Sequence, residues 1–471
     1  MMGMKRRLIA CLGLSSLLLA AEDNPFVSRK DPKSENSPAG EPRRCEFMLE
    51  HLLVDSAKLM SWEHEAGEPS DEQLHQTVAE WVRDGSAVLD HTAWVAGADG
   101  GKLFSDQILE QIYATEVLPG GKGAWPFPTS FETRNCGHSF NGWAVEEDGK
   151  WKLAWEAELV RILSRGRPFS PIAERTCEPG DVFIPTFGSL RASAGGPSVW
   201  PDPFGEKTQR IEEPTQLMFE KGGRYLWGRS KEPRSSATRL VFVRARVDPE
   251  PVEPEGGLPS RIKLRVLRVD HTKAWEWLNA PDGVDPLQAW EVFSKDPAAL
   301  AWSLDGWLAA KGRTTAEQIE EYCYPTEYIP GMKWEVTRKW EEADKRGEKA
   351  GIATKEERQV VEPAVGAAMA ATPTSFETRN IGVSFEAEVE GGRIHLAIES
   401  VAKVGDTALH RIEDGGEWRV DMTMPEFGHS MIQTQLPVQC CGWTLVGVGG
   451  EFLEGGVADA AHRLMYFVKL E

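Results

Sequence analysis

Two strings in the chain set a histidine beside a serine, Gly137-His138-Ser139 and Gly428-His429-Ser430. A serine hydroxyl next to an imidazole base is the beginning of nucleophilic acyl-transfer chemistry, which also needs a third group to orient the base. Neither string lies in a Gly-x-Ser-x-Gly elbow. The chain also lacks His-Glu-x-x-His, a phosphate loop and a dinucleotide fingerprint. Its 10 histidines are scattered singly, and its 7 cysteines include no Cys-x-x-Cys paired with histidines as zinc would require. Glu132 and Arg134, with Glu377 and Arg379, are two residues apart and so share one face of a strand. An intramodule salt bridge or a turn-binding arginine is their expected role, ahead of an intermolecular ion pair. No residue is assigned as catalytic, cofactor-binding or metal-ligating, and no cofactor is expected.

The elements that position these residues come in duplicate. Pro-Thr-Ser-Phe-Glu-Thr-Arg-Asn occurs at 128–135 and again at 373–380. Matches continue in the same order on both sides. Val54-Asp55, Lys58 and Trp62 match Val269-Asp270, Lys273 and Trp277. Gly101, Gln107, Ile108, Glu110, Tyr113, Thr115 and Glu116 match Gly312, Gln318, Ile319, Glu321, Tyr324, Thr326 and Glu327. Pro185, Phe187 and Gly188 match Pro425, Phe427 and Gly428. Thr215-Gln216-Leu217 match Thr434-Gln435-Leu436, and Gly223, Leu226 and Gly228 match Gly442, Leu445 and Gly447. Arg239-Leu240 match Arg463-Leu464. Residues 45–247 and 261–471 are therefore two copies of one module, joined by a proline-rich acidic linker at 248–260.

The duplication tests the single residues. The two Gly-His-Ser strings fall at different places in the module, and Val383 stands where the first copy has His138, so their likeness is coincidence. Cys136 faces Ile381, and Cys323 faces Ile112. A position that accepts cysteine or isoleucine is expected to be buried and apolar. The recurrence of Trp62 as Trp277 points to core packing, whereas Trp125, Trp143, Trp334 and Trp340 fall in or near loops and turns. Adjacent Cys440 and Cys441 are expected as separately paired or free thiols. The second copy carries a charged insertion at 329–372, expected as a loop or solvated helix. The first copy carries its own around 188–214.

Within each module the pattern predicts an opening strand (46–54, 262–269), a helix (72–83, 286–295), and two hairpin-like strands broken at Gly100-Gly101 or Gly312. A strand pair follows, turning at Asp148-Gly149 or Gly391-Gly392. Closing strands lie at 239–247, 433–437, 443–448 and 464–470. The expected class is α+β and strand-rich, with two tandem modules of antiparallel sheet carrying one or two helices each.

Composition limits the partners. Lys plus Arg total 53 against 73 Asp plus Glu, a formal charge of -20, which argues against nucleic acid or an anionic membrane surface. The 18 Trp and 18 Phe supply core material, so the charge does not signal disorder. Past the N-terminus no apolar run reaches the roughly 18 residues of a membrane-spanning helix. Lys5, Arg6 and Arg7 precede an apolar run from Leu8 to Leu19 and then Ala20 and Ala21, the pattern of a secretory signal peptide over residues 1–21. A lipoprotein reading of Leu8-Ile9-Ala10-Cys11 leaves too short an apolar region ahead of the cysteine. Residues 22–44 read as a flexible leader.

The motifs at 324–328 (Tyr-Pro-Thr-Glu-Tyr) and 372–383 (Thr-Pro-Thr-Ser-Phe-Glu-Thr-Arg-Asn-Ile-Gly-Val) resemble the C-terminal homology region of bacterial type II/III secretion-system secretins, in a Verrucomicrobia-like form. Met424-Pro425-x-Phe427, the strand to Val438 and Gly442-Trp443-Thr444-Leu445-Val446-Gly447 resemble that family's last hairpin. Arg239 to Val243 resembles its closing strand. The resemblance covers about 400 residues. It implies an exported β-rich protein of the periplasm or outer membrane, partnered by other secretion-system or envelope proteins or by itself, with membrane contact not made through a transmembrane helix. Neither copy shows a strand pair with an apolar lipid face and aromatic ends. The expectation is therefore a soluble or peripheral, non-enzymatic structural or assembly protein of an outer-membrane secretion or pilus-type system. A periplasmic β-rich module binding glycan or peptide is the alternative.

Overall fold

The computed structural model describes residues 43–471 except 68, 99, 119–126, 148–149, 170–181, 195–223, 232–234, 252–259, 281–284, 309–312, 331–332, 338–356, 362–370, 391–392, 415–416 and 438–441. The expected signal peptide, nearly all the leader, and Cys440-Cys441 lie outside the described residues.

The first copy runs β1 (Arg43–Asp55), α1 (Ser56–Ala66), α2 (Asp71–Arg83), β2 (Ala87–Ala98), β3 (Leu103–Leu118), β4 (Phe127–Glu147), β5 (Lys150–Phe169), β6 (Val182–Ala194), β7 (Arg224–Lys231) and β8 (Ala237–Pro251). The second runs β9 (Arg261–Asp270), α3 (His271–Leu278), α4 (Pro286–Phe293), β10 (Leu300–Trp307), β11 (Arg313–Pro330), β12 (Lys333–Thr337), β13 (Glu357–Val361), β14 (Ala371–Glu390), β15 (Arg393–Asp414), β16 (Glu417–Pro437), β17 (Trp443–Gly449), β18 (Phe452–Leu453), β19 (Val457–Ala458) and β20 (His462–Leu470). The fold is strand-rich α+β, built of antiparallel sheet with two α-helices per copy among the described residues.

Each copy contributes four strands to each of two eight-stranded sheets. The first sheet has the order β10-β9-β20-β17-β2-β1-β8-β7, and the second β11-β14-β15-β16-β3-β4-β5-β6. The copies are thus joined edge to edge in both sheets. One face of the first sheet packs on the second sheet through Phe47, Phe140, Trp155, Val266, Phe385, Ile432 and Tyr466. Its other face is covered by the helices, around Leu59, Val78, Trp94, Trp275, Phe242 and Phe467. Phe47 and Phe140 stack across the sheets at 3.9 Å between ring centroids.

The repeated residues have local reasons. Asp55 caps α1 by accepting the amides of Ala57 and Lys58, both at 3.0 Å, and Asp270 caps α3 by accepting Lys273 at 2.9 Å. Trp62 packs edge-on against Trp81 as Trp277 does against Phe293. Gly137 and Gly382 have φ +136° and +134°. A Cβ on either would collide with the carbonyl oxygen of Gln107 or Gln318 on the paired strand, so only glycine fits.

Several expectations are corrected. The segments flanking Gly100-Gly101 are not a hairpin: β2 and β3 belong to different sheets, and the chain crosses between layers there, with the Gly101 amide donating to Ala98 O at 3.0 Å. Apolar periodicity does not mark the helices α1 and α3. In the 329–372 insertion, β12 and β13 form a two-stranded ladder where a loop or helix was expected; Trp334, Val336, Val360 and Val361 supply the β-branched and aromatic character. Residues 248–251 of the expected linker belong to β8, and Pro251 pairs with Arg43.

Candidate assembly interface

The chemistry-bearing side chains that the structure gathers lie where the two copies meet. In the second sheet β16 pairs with β3 from Phe427 opposite Glu110 to Gln433 opposite Phe104. In the first sheet Gly447 and Val448 of β17 pair with Val95 and Trp94 of β2.

At the first of these seams, buried Asp106 accepts the Met431 amide at 2.8 Å, and its Oδ1 lies 3.5 Å from His429 Nδ1. His429 Nε2 lies 3.2 Å from Glu399, and Arg379 donates to Glu110 at 2.6 Å. Asp106 and Glu110 come from the first copy; Arg379, Glu399 and His429 come from the second. Burial pushes the Asp106 carboxyl up to about 6, against the pull of His429. Burial alone would lower His429, but Asp106 and Glu399 outweigh it and raise the imidazole above its usual value. The adjacent His429 imidazole lowers Glu399, against its partial burial. The two carboxylates thus favour the charged form of the imidazole. Thr434 Oγ1 adds a bond to Ala96 O at 2.5 Å, and Gln107 Nε2 one to Glu451 O at 3.0 Å.

A second network centres on β2. The matched arginines of the two copies converge on Asp90: Arg239 Nη1 donates to its carboxylate at 2.5 Å, and Arg463 Nη2 to its carbonyl at 3.0 Å. Burial lowers the Arg463 guanidinium to about 10, with Asp90 and Asp459 opposing. Beside them His91 stacks on His138 at 3.7 Å, and His51 meets His138 edge-on at 4.5 Å. Burial, reinforced by Arg239 or Arg463, drives all three well below the ordinary histidine range, so they are neutral. His271 Nδ1 faces Ala460 O at 3.0 Å and must donate to it. Its Nε2 therefore accepts from Thr92 Oγ1, also at 3.0 Å. Burial brings His271 down to about 3.

A third tie lies under the helices. Buried Glu50 of β1 accepts from Trp275 Nε1 at 2.5 Å and Asn279 Nδ2 at 3.0 Å, both of the second copy, and lies 3.2 Å from His75 Nε2. Burial would raise this carboxyl, but His75, Arg224 and Arg244 hold it down at about 2.

The sequence-flagged residues distribute as follows. His138 and His429 do not share a site: the first joins the stacked trio and the second the seam at Asp106. Arg379 makes the intramodule ion pair expected of it, with Glu399 at 3.8 Å, and a shorter one across the copies to Glu110 at 2.6 Å. Glu132 accepts from Tyr113 at 3.3 Å within one copy. Cys136 is buried, as expected, and burial pushes its thiol up to about 12. Cys323 is exposed, which corrects the expectation for it. Trp143 and Trp334 lie in β4 and β12, whereas Trp125 and Trp340 fall outside the described residues. Asp90, Asp106 and Glu399 carried no sequence signal, because their partners lie on other strands, from 30 to more than 300 residues away in the chain.

Among the described residues, no three His, Cys, Asp or Glu side chains converge to hold a metal ion. The polar groups converge on one another across the seam, which is the chemistry of a specific joint. No protein-family model and no curated protein matches the chain.

Proposed function

We infer that the chain is an exported, non-enzymatic structural protein that serves in assembly, in an outer-membrane secretion or pilus-type system. The observation that carries the reading is the joint itself. Two copies of one module are fused through both sheets, and buried charged residues of both, Glu50, Asp106 and Arg463 among them, bond from copy to copy. The basic and apolar N-terminal segment supports export, and the resemblance of 324–328 and 372–383 to the secretin homology region supports the setting.

Among the described residues no helix is long and apolar enough to cross a membrane. The long hairpin β15–β16, roughly 70 Å at about 3.3 Å per residue, carries Arg411, Glu413, Asp414, Glu417 and Arg419 near its tip. Such a sequence suits water or a protein partner better than lipid.

The test is fractionation of the native protein, with and without heating in detergent before electrophoresis. Recovery with the envelope, bound to other envelope proteins or as a heat-sensitive high-mass species, agrees with the reading. A cytoplasmic protein would overturn it. A free periplasmic monomer that retains glycan or peptide would favour the binding-module alternative.

A further inference from the structure

The two copies are related by succession along the sheets, not by a two-fold axis. Written by matched strand, the first sheet repeats one four-strand order twice: β10-β9-β20-β17 is followed by β2-β1-β8-β7. The second does the same, β11-β14-β15-β16 followed by β3-β4-β5-β6. The internal joint sets the β16/β17 edge of the second copy against the β3/β2 edge of the first. Among the described residues, the matching edges β6/β7 and β11/β10 end the sheets and pair on one side only. A heterologous joint of this kind leaves a complementary pair of surfaces at its two ends.

We propose that a second copy of this chain docks there, β6/β7 of one chain pairing with β11/β10 of the next, in the register of the internal joint. The inference stands on the topology and does not require the secretion-system setting.

Three observations support it. The first is register. Ser189 and His429 hold the same place, opposite Val160 and Val401 respectively. Ile108 and Ile319 likewise lie opposite the two strained glycines. Transferring the internal pairing puts Arg191 opposite Glu317, as Met431 lies opposite Asp106. It also puts Arg229 opposite Asp305, as Val448 lies opposite Trp94.

The second is charge. Strands β6 and β7 carry Arg191, Arg224, Arg229 and Lys231 and no acid, whereas β10 and β11 carry Asp305, Glu317, Glu320, Glu321 and Glu327 against the single Arg313. Arg224 and Arg229 also bind Glu72 and Glu63 in the same chain, and Arg265 binds Asp305. Charges that only blunt a sheet edge need no particular sign at the other end. Here the two ends attract.

The third is exposure. Trp307 and Phe376, at the β10/β11 end, are 67% and 57% exposed. Their counterparts at the internal joint are covered: Ala96 is buried, and Phe131 packs against Tyr328. The open end thus bears apolar side chains at places that the internal joint covers.

The same step repeated gives a ring where the rotation closes and a filament where it does not. The test is light scattering of the full chain, after any signal peptide, over a range of concentration and salt. Wild-type protein is expected to form multiples of the chain mass at low salt and to dissociate as salt rises. Arg191→Glu and Glu317→Arg should each raise the concentration needed for assembly by roughly tenfold or more, and the combined exchange should restore it. Circular dichroism checks that each variant is folded. A wild-type chain that stays monomeric at low salt and high concentration would overturn the proposal. So would assembly indifferent to both single reversals, or a folded double variant that fails to reassemble.

Discussion

Ile112 and Cys323 occupy the same position in the two copies, each opposite a threonine of the repeated motif, yet Ile112 is buried and Cys323 is exposed. Ile112 lies in a small core with Phe127, Tyr328, Met422 and Met424, most of it from the other copy. Cys323 lies on β11, which among the described residues ends its sheet. The difference is therefore one of place in the row and not of side-chain chemistry.

Cys323 should accordingly react with iodoacetamide in dilute native protein, while Cys45 and Cys136 react only on unfolding. Peptide mapping after brief labelling checks this. Burial that raises the Cys136 thiol to about 12 also removes the reactive thiolate at neutral pH.

Replacing Asp106 with alanine leaves the Met431 amide without its acceptor and takes one carboxylate from the buried His429. The expected loss is about 3 kcal/mol in denaturant unfolding. Asp106→Asn should cost less. A double-mutant cycle with His429→Gln should give a coupling of about 1 kcal/mol or more.

The histidines set the acid limit. Folding depresses His51, His91, His138 and His271, so the unfolded chain takes up protons below about 6.5 that the folded chain refuses. Their contribution is complete above that pH and is lost as pH falls, at up to about 1.4 kcal/mol per pH unit for each histidine. His429 and Asp106 are raised and act oppositely, adding stability that fades as pH rises through their folded values. Four depressed groups outweigh two raised ones, so stability should fall from pH 7 to pH 5. Chemical denaturation across that range checks the sign, and His271→Asn should flatten the slope.

Alanine at Gly137 or Gly382 forces a side chain into the paired strand's carbonyl at a positive φ. Each change should cost about 2–4 kcal/mol. The Gly137 change should loosen the joint as well, because Ile108 lies between Gly137 on one side and His429 on the other. Thermal unfolding and amide exchange in β16 separate the two effects.

Much of this fold can be read from the residues. Eight identical residues at 128–135 and 373–380 expose the duplication. Alternating apolar residues such as Ile262, Leu264 and Val266 mark strands, and α2 and α4 follow from their periodicity. The helices α1 and α3 escape that test, although the kept Asp55 and Asp270 are their N-caps and would have marked them. The joint is harder to foresee. Which strand edges meet depends on contacts far apart in sequence, such as Asp106 with Met431 and Arg463 with Asp90. Gln107, Glu110, Arg239 and Arg463 recur in the repeat, but recurrence alone does not tell a residue of the joint from one of the core.

The central claim, that one joint is used inside the chain and again between chains, is tested most directly by hydrogen exchange at matched amides. Residues 104–110 of β3 should be protected at every protein concentration. Residues 315–321 of β11 should exchange quickly in dilute, high-salt solution and become protected as concentration rises at low salt. Equal and unchanging exchange at 315–321 under both conditions would contradict the account.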